Sequence, residues 1–219
     1  GCFSMQQSKF LTTGDGGVTI TDNKNYAERM RLFGDKGWSN RDSRWGSPRA
    51  YRFLGLTYRM NELTGAVALA QLGKVEKVVK IMNKLGDLLT NLIKDIHEIK
   101  PAPVTQGGKH SYWLYPFKIT DFNPQEFIKA LRAEGIPVSL GYTVKPIYLC
   151  AAALTEKKTF GNSGYPFNSL YYGKKIEYKE GLCPVAEEEL KSMGTLRIYE
   201  TWGEEDIKDI AKVFKKVAR

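Results

Sequence analysis

The most regular pattern in this chain is a set of apolar positions three or four residues apart. It begins after Asn61 and runs through Leu63, Val67, Ala70, Val75, Val78, Met82, Leu85, Leu89, Leu92 and Ile96. That spacing lays one apolar stripe along a helix. It predicts a long amphipathic helix over about 61–98, or two joined end to end with a break near Gly73. Asn61 is a suitable N-cap, and Pro101 and Pro103 close the helical stretch. Upstream, Cys2-Phe3-Ser4-Met5 and the β-branched Val18-Thr19-Ile20-Thr21 predict short strands. Between them runs a turn-rich loop, Leu11-Thr12-Thr13-Gly14-Asp15-Gly16-Gly17, whose glycines permit positive φ. Tyr26, Met30 and Phe33 share one side of a helix over about 24–33, opened by a turn or cap at Asp22-Asn23. Residues 34–57, with glycines at 34, 37, 46 and 55 and a proline at 48, read as a long loop. Loops of that length inside a compact domain are usually functional or disordered.

Beyond the long helix, strand and helix patterns alternate. Residues 110–120 are aromatic and β-prone. Asn123-Pro124 opens a helix through Ala133, with the asparagine as cap and the proline at the first helical position, and Gly135 ends it. Ile136 to Leu140 is a further strand. Residues 155–182, rich in Gly, Tyr and Lys, read as irregular. A last helix follows Gly203. Its first turn holds Glu204, Glu205 and Asp206, and Lys212, Lys215, Lys216 and Arg219 lie toward its end, both complementing the helix dipole. The reading is an α/β chain of two domains, 1–75 and 76–219, linked through the long helix.

Composition narrows the setting. The 219 residues are 42% hydrophobic and 12% aromatic, a globular and not a disordered balance. No apolar run approaches the ~20 residues of a membrane helix, and no charged-then-apolar leader opens the chain. It begins at Gly1 without a methionine and reads as a segment of something longer. Cys2, Cys150 and Cys183 are widely spaced and odd in number, and the only histidines are His97 and His110. That points away from a disulfide framework or a metal site and toward a reducing cytoplasm. The net charge is +9, and residues 36–59 hold six basic side chains (Lys36, Arg41, Arg44, Arg49, Arg52, Arg59) against Asp42 alone. Such an Arg-rich stretch is either a solvated loop or a wall suited to phosphate oxygens.

The densest candidate chemistry lies in the first seventeen residues: a strand, a loop with one lysine, and a glycine turn back to a strand. An amine set among apolar and small polar groups is held neutral by desolvation, and a neutral amine can form a Schiff base with an aldehyde. A nearby serine hydroxyl can donate to a phosphate. On residue types alone, a solvated lysine beside a turn fits as well.

Phe3-Ser4-Met5, Lys9 and Thr13-Gly14-Asp15-Gly16-Gly17 resemble the cofactor-lysine motif of the DegT–DnrJ–StrS sugar aminotransferases. Gly55-Leu56-Thr57-Tyr58-Arg59-Met60-Asn61-Glu62-Leu63 is similar to the same family's Gly-x-Asn-Tyr-Arg-Met-x-Glu-Leu stretch, and Ala66-Val67-Ala68-Leu69-Ala70-Gln71-Leu72 to its Ala-rich helix. Gly135-Ile136-Pro137 and Cys183-Pro184-Val185-Ala186-Glu187 are weaker echoes. The resemblance implies the end of a large domain of the aspartate-aminotransferase type (fold type I), followed by a small carboxy-terminal α/β domain. It implies transamination of a keto sugar, often nucleotide-linked, or a keto cyclitol, with glutamate or glutamine as donor and pyridoxal 5′-phosphate (PLP) as cofactor. Lys9 would hold PLP and then shuttle a proton as general base and general acid. Ser4 would donate to its phosphate. Thr57 and Arg59 would reach the phosphate in the neighbouring subunit, making the site a property of a homodimer. Thr57 stands where the family commonly has Asn and has shorter reach, so Arg59 takes more of that contact. Tyr142 and Lys145, with Tyr148, sit where relatives often carry a substrate-facing loop. Trp38, Trp45, Trp113 and Trp202 are read as packing residues. The family's pyridinium-pairing carboxylate lies before the lysine, so the 219 residues alone are expected to bind PLP poorly.

Other classes remain in view. A basic nucleic-acid-binding module would use the charge but leave the lysine and glycine motifs unexplained, and no recognition motif of that class is present. A non-catalytic relative is a third reading, disfavoured by Lys9. A sugar dehydratase of the same family would carry histidine at that place.

Overall fold

In the computed structural model, residues 1–40, 48–172 and 175–218 are described. Arg41, Asp42, Arg44, Trp45, Gly46 and Arg219, all named above, lie outside them. The chain divides into two compact units, Gly1–Val79 and Lys80–Arg219.

The first unit opens with a two-stranded antiparallel hairpin, β1 (Cys2–Ser4) on β2 (Gly17–Thr19), with Phe3 opposite Val18 and Ser4 opposite Gly17. Helix α1 (Lys24–Phe33) covers the residues its periodicity predicts. Its cap is Asn23, whose Oδ1 accepts from the backbone N–H of Asn25 and Tyr26 at 3.0 and 3.1 Å.

Helix α2 runs unbroken from Glu62 to Ile93. Gly73 does not interrupt it. A single glycine costs only about 1 kcal/mol relative to alanine and need not break a helix. The helix also stops short of the expected end near 98. The chain turns at Lys94-Asp95, and Ile96 and Ile99 drop into the core. Pro101, read as a helix stop, instead ends a strand.

The second unit is a four-stranded antiparallel sheet with helices. Its elements are β3 (Ile99–Pro101), β4 (Tyr115–Ile119), α3 (Pro124–Ala133), β5 (Val138–Leu140), the short α4 (Ile147–Cys150) and α5 (Ala152–Thr155), α6 (Pro184–Ser192), β6 (Met193–Leu196) and α7 (Glu204–Val217). The strand order is β3-β4-β6-β5. The last strand in the sequence therefore sits between β4 and β5. The buried face of β4 is Tyr115, Phe117 and Ile119, alternating as a half-buried strand must. Ile207, Ile210, Ala211 and Phe214 of α7 meet the α3 side chains Phe127, Ile128 and Leu131 in one core. Phe117 and Phe127 both pack their rings against Phe214. The second half of α2 adds Met82, Leu85, Leu89 and Ile93, all at most 3% exposed. Burying each such side chain stabilises the fold by roughly 1.5–3 kcal/mol.

Candidate functional site

The lysine loop is closed at its base by backbone pairing. Met5 N–H donates to Gly16 O and Thr13 N–H to Met5 O, both at 2.9 Å, so residues 6–12 leave and rejoin the hairpin at one point. Met5, 4% exposed, anchors that point. Inside the loop Gln6 Oε1 accepts from the Ser8 backbone and hydroxyl at 2.8 and 2.7 Å, and Lys9 N–H donates to Gln6 O at 2.9 Å. Lys9 is half-buried and Ser4 exposed. Ser4 Oγ accepts from Gln6 N–H at 3.3 Å.

The second motif is laid against the end of α1. Leu56 N–H donates to Phe33 O and Tyr58 N–H to Gly34 O, while Lys36 N–H donates to Leu56 O, at 2.8–2.9 Å. Thr57 pairs with Asp35 in this short ladder and is exposed. The approach is close enough to demand glycine. A Cβ on Gly37, where φ is +76°, would stand 2.0 Å from Phe53 O, and one on Gly55 2.7 Å from Phe33 O. The segment from 34 to 57, read as a loop, is thus pinned along its described parts.

Asp35 is the residue the sequence reading missed. It is 1% exposed, and its Oδ1 meets Lys36 Nζ at 2.8 Å and Arg59 Nε at 3.4 Å. A buried carboxylate held between two cations fixes where Arg59 can go. The only sequence signal was a lone acid after the glycine that ends a helix. The other described cations of the basic stretch also have partners: Arg52 pairs with Glu28 at 2.7 Å, and Arg49 lies 4.9 Å from the Trp38 ring centre. These contacts spend part of the charge on local structure. Trp38 is half-buried, and its indole N–H donates to Asn40 Oδ1 at 2.7 Å.

The two motifs come together at a cavity of about 540 Å³ lined by Asp15, Gly16 and Gly17 of the lysine motif's return turn and by Tyr58, Arg59, Met60, Asn61 and Thr64. A larger one of about 1050 Å³ shares Gly17, Tyr58 and Arg59 and adds Arg29, Asp35 and Phe53 among others. Ser4, Lys9 and Thr57 line neither.

Tyr142 and Lys145 belong to the second unit, on the loop between β5 and α4, and both are exposed. Tyr148, just beyond, is buried. Its hydroxyl donates to Glu187 Oε1 and accepts from Cys183 N–H at 3.1 Å. Desolvation first and the Glu187 carboxylate second push this hydroxyl up to about 12. Glu187 is held below the usual carboxylate range, chiefly by the Tyr148 hydroxyl and then by Gly181 N–H. The pair ties the two ends of the irregular stretch together. Tyr148 thus makes a structural tie within this unit. Among the described residues no group of three or more metal-ligating side chains occurs, and no helix is long and apolar enough to cross a membrane.

Comparison with known proteins places this geometry. Residues 1–164 match the DegT/DnrJ/EryC1/StrS aminotransferase family. The L-glutamine:2-deoxy-scyllo-inosose aminotransferase of Streptomyces paromomycinus is 27% identical over 100% of this chain and 53% of its own length. The chain thus spans about half the length of the curated relatives it matches. In structure, DesV of S. venezuelae, solved with a ketimine intermediate, aligns with TM-score 0.78 and 19% identity over 100% of this chain and 51% of its own. A sugar aminotransferase of Streptococcus pneumoniae in its PLP form aligns at 0.72 and 17% over 99% and 51%. The fold is that of the fold type I sugar aminotransferases, whose family uses PLP.

Proposed function

The chain belongs to the DegT/DnrJ/EryC1/StrS aminotransferase family, and on that premise we propose that the intact protein moves an amino group from glutamate or glutamine onto a keto sugar, often nucleotide-linked, or a keto cyclitol, with Lys9 as its cofactor lysine. What supports this reading most is the family match over residues 1–164, which spans both motifs; the return turn of the lysine loop and the Tyr58–Asn61 stretch also wall one cavity, although some forty residues separate them in sequence.

The side chains present suit a phosphorylated aldehyde. Ser4 Oγ accepts from Gln6 N–H, which leaves its own proton to donate to a phosphate oxygen. Arg59 is steered by Asp35 through Nε, which leaves the terminal nitrogens of its fork for an anion. Thr57, two residues earlier in the chain, adds an exposed hydroxyl. When bound, PLP supplies the electron sink that makes the substrate carbon acidic. Lys9 Nζ would hold the cofactor through its aldehyde and, once free, would move a proton as general base and then general acid, one amine serving both roles. The Arg-rich stretch adds positive potential for a diphosphate, reduced by the partners described above.

We assign Ser4 and Lys9 to one copy of the site and Thr57 and Arg59 to the neighbouring copy in a homodimer. One observation supports this: the first half of α2 exposes Leu63, Val67, Leu69 and Leu72, an apolar surface suited to cover by protein. Tyr142 and Lys145 are assigned to the keto substrate, and the expected setting is the cytoplasm. The 219-residue chain by itself is expected to hold PLP weakly.

The test is transamination by the intact protein, with glutamate and glutamine as donors and a keto cyclitol or nucleotide-linked keto sugar as acceptor. Lys9→Ala should lower turnover steeply and remove the visible absorbance of bound cofactor. Full absorbance retained in that variant would refute the assignment. A steeply salt-dependent affinity for DNA, with no cofactor bound, would favour the basic module instead.

A further inference from the structure

Strand β5 stands at the edge of its sheet, beside β6. Arg132 of α3 reaches onto it, with Nε donating to Val138 O at 2.8 Å and Nη2 to Ser139 Oγ at 3.4 Å. These two bonds fix the plane of the guanidinium and leave Nη1 for another acceptor. Lys129 and Gln125 stand one and two turns back along α3, on the same face. With Ile128, Leu140 and Val144 they wall a cavity of about 390 Å³ inside the second unit, a size within the usual range for a small-molecule site. No acidic side chain lines it among the described residues. Glu134, the acid nearest to Arg132 in sequence, is taken by Lys216 at 2.9 Å.

The wall opposite α3 is built on unusual backbone. Val144 has φ +63°. A β-branched residue in the left-handed region is costly, and such strain persists where surrounding structure over-determines it. Packing in the core does not explain this valine, which is 60% exposed. The turn that carries it is held at several points. Gly141 N–H donates to Met193 O, and Thr143 Oγ1 donates to Lys145 O at 2.7 Å. Gly141 itself has φ +61°, and a Cβ there would stand 3.3 Å from Leu190 O and from Val144 N and Cα. The fold thus sets an apolar side chain, at a conformational cost, across from two cations.

We propose that this cavity binds a small phosphate monoester, with Lys129 and Arg132 on the phosphate and Val144 and Leu140 against the organic body. The site is additional to the reaction proposed above and uses none of the residues assigned to it. Charge selects the ligand. Two cations with no acid beside them match a group that carries nearly two negative charges near neutral pH, whereas a carboxylate carries one. The arginine fork fits phosphate oxygens, and Gln125 can donate to a further oxygen of the ligand. The apolar wall selects a monoester over the free ion, which would leave Val144 and Leu140 uncovered.

The experiment is calorimetric titration of the intact protein, with PLP bound so that the phosphate contacts assigned to Ser4, Thr57 and Arg59 are taken. The probes are glucose 6-phosphate, inorganic phosphate and glucuronate, at about 0.15 M ionic strength to screen loose surface attraction. Glucose 6-phosphate should saturate the protein below ~10 mM, and Lys129→Gln should weaken it about ten-fold, the loss of one charge-assisted contact. Lys129 is exposed, so this variant keeps the fold. Arg132→Gln should weaken binding at least as much, with its melting temperature measured alongside because β5 also loses a tie. Val144→Asn, which suits the left-handed backbone, should weaken glucose 6-phosphate and leave inorganic phosphate unchanged. No saturation by ~10 mM, or an affinity indifferent to Lys129→Gln, overturns the proposal. So does equal affinity for glucuronate, which denies the selection of phosphate, or for inorganic phosphate, which leaves the apolar wall without a role. None of these readouts requires turnover, so a failure of transamination leaves the test standing.

Discussion

Replacing Gly86 by alanine tests the packing of the second unit in one position. In an exposed helix the change would help, by about 1 kcal/mol, because alanine is the better helix former. Here a Cβ would stand 2.5 Å from two atoms of the Tyr112 ring and 2.7 Å from a third. Ordinary contact needs about 3.5 Å, so the ring must retreat by roughly 1 Å. It has no room to do so. Tyr112 lies 4.5 Å from the His110 ring centre on one side and 5.7 Å from that of Tyr115 on another, with its hydroxyl tied to Asp87. Overpacking of this kind costs typically ~1–3 kcal/mol, and loss of the tyrosine hydrogen bond adds about 1 kcal/mol. After the helix gain is subtracted, a net destabilisation of about 2 kcal/mol remains, or about 6 °C in Tm for a unit of this size. The control lies in the same helix. A Cβ on Gly73 meets nothing within 4 Å, so Gly73→Ala should stabilise by up to about 1 kcal/mol. Thermal unfolding of the two variants, followed by circular dichroism, should move in opposite directions. If Gly86→Ala melts at or above the wild-type temperature, the Tyr112 wedge is not real.

Other outcomes follow from the same geometry. Lys9→Ala in the intact protein should lower kcat by a factor on the order of 10²–10⁴ or more, the range for losing a general acid–base, with cofactor absorbance lost as well. Asp35→Asn should weaken PLP retention by about ten-fold, because Arg59 loses its steering charge; equilibrium dialysis would measure it, and unchanged affinity would show that Arg59 is placed by something else. The Tyr148–Glu187 tie should open at both ends of the pH scale. Glu187 is depressed by Tyr148, Gly181 and Cys183, with Lys191 nearby. Its contribution is therefore present above the ordinary glutamate value and lost as pH falls through the lowered one. Tyr148 is raised to about 12, so its contribution is complete below the ordinary tyrosine value near 10 and lost as pH climbs toward that raised value. Protease cleavage within residues 151–182, measured against pH, should rise at both extremes, and Glu187→Gln should remove the acidic limb. Cleavage that ignores pH would exclude the tie as what closes this stretch.

Much of this protein was legible in its sequence, because local chemistry dictated it. The spacing of Tyr26, Met30 and Phe33, and the Asn123-Pro124 start, mark helices that form where expected, since caps and periodicity act over a few residues. The order of the lysine and Tyr-Arg motifs pointed to the family, since that chemistry needs particular residue types. What the sequence could not decide depends on residues far apart in the chain. Strand β6 was missed because Met-Gly-Thr-Leu has no alternation to read; it is a strand because it fills the gap between β4 and β5, and Gly194 is small because the Phe117 ring lies across it, 2.3 Å from where a Cβ would be. Asp35 became an anchor only when residues 55–59 folded back onto it. Arg132 and Val144 came to share a cavity only when the chain beyond α3 folded back onto it. Helix and turn propensities are summed along the chain, but burial and side-chain contact are properties of neighbours in space, and only the tertiary structure says which residues those are.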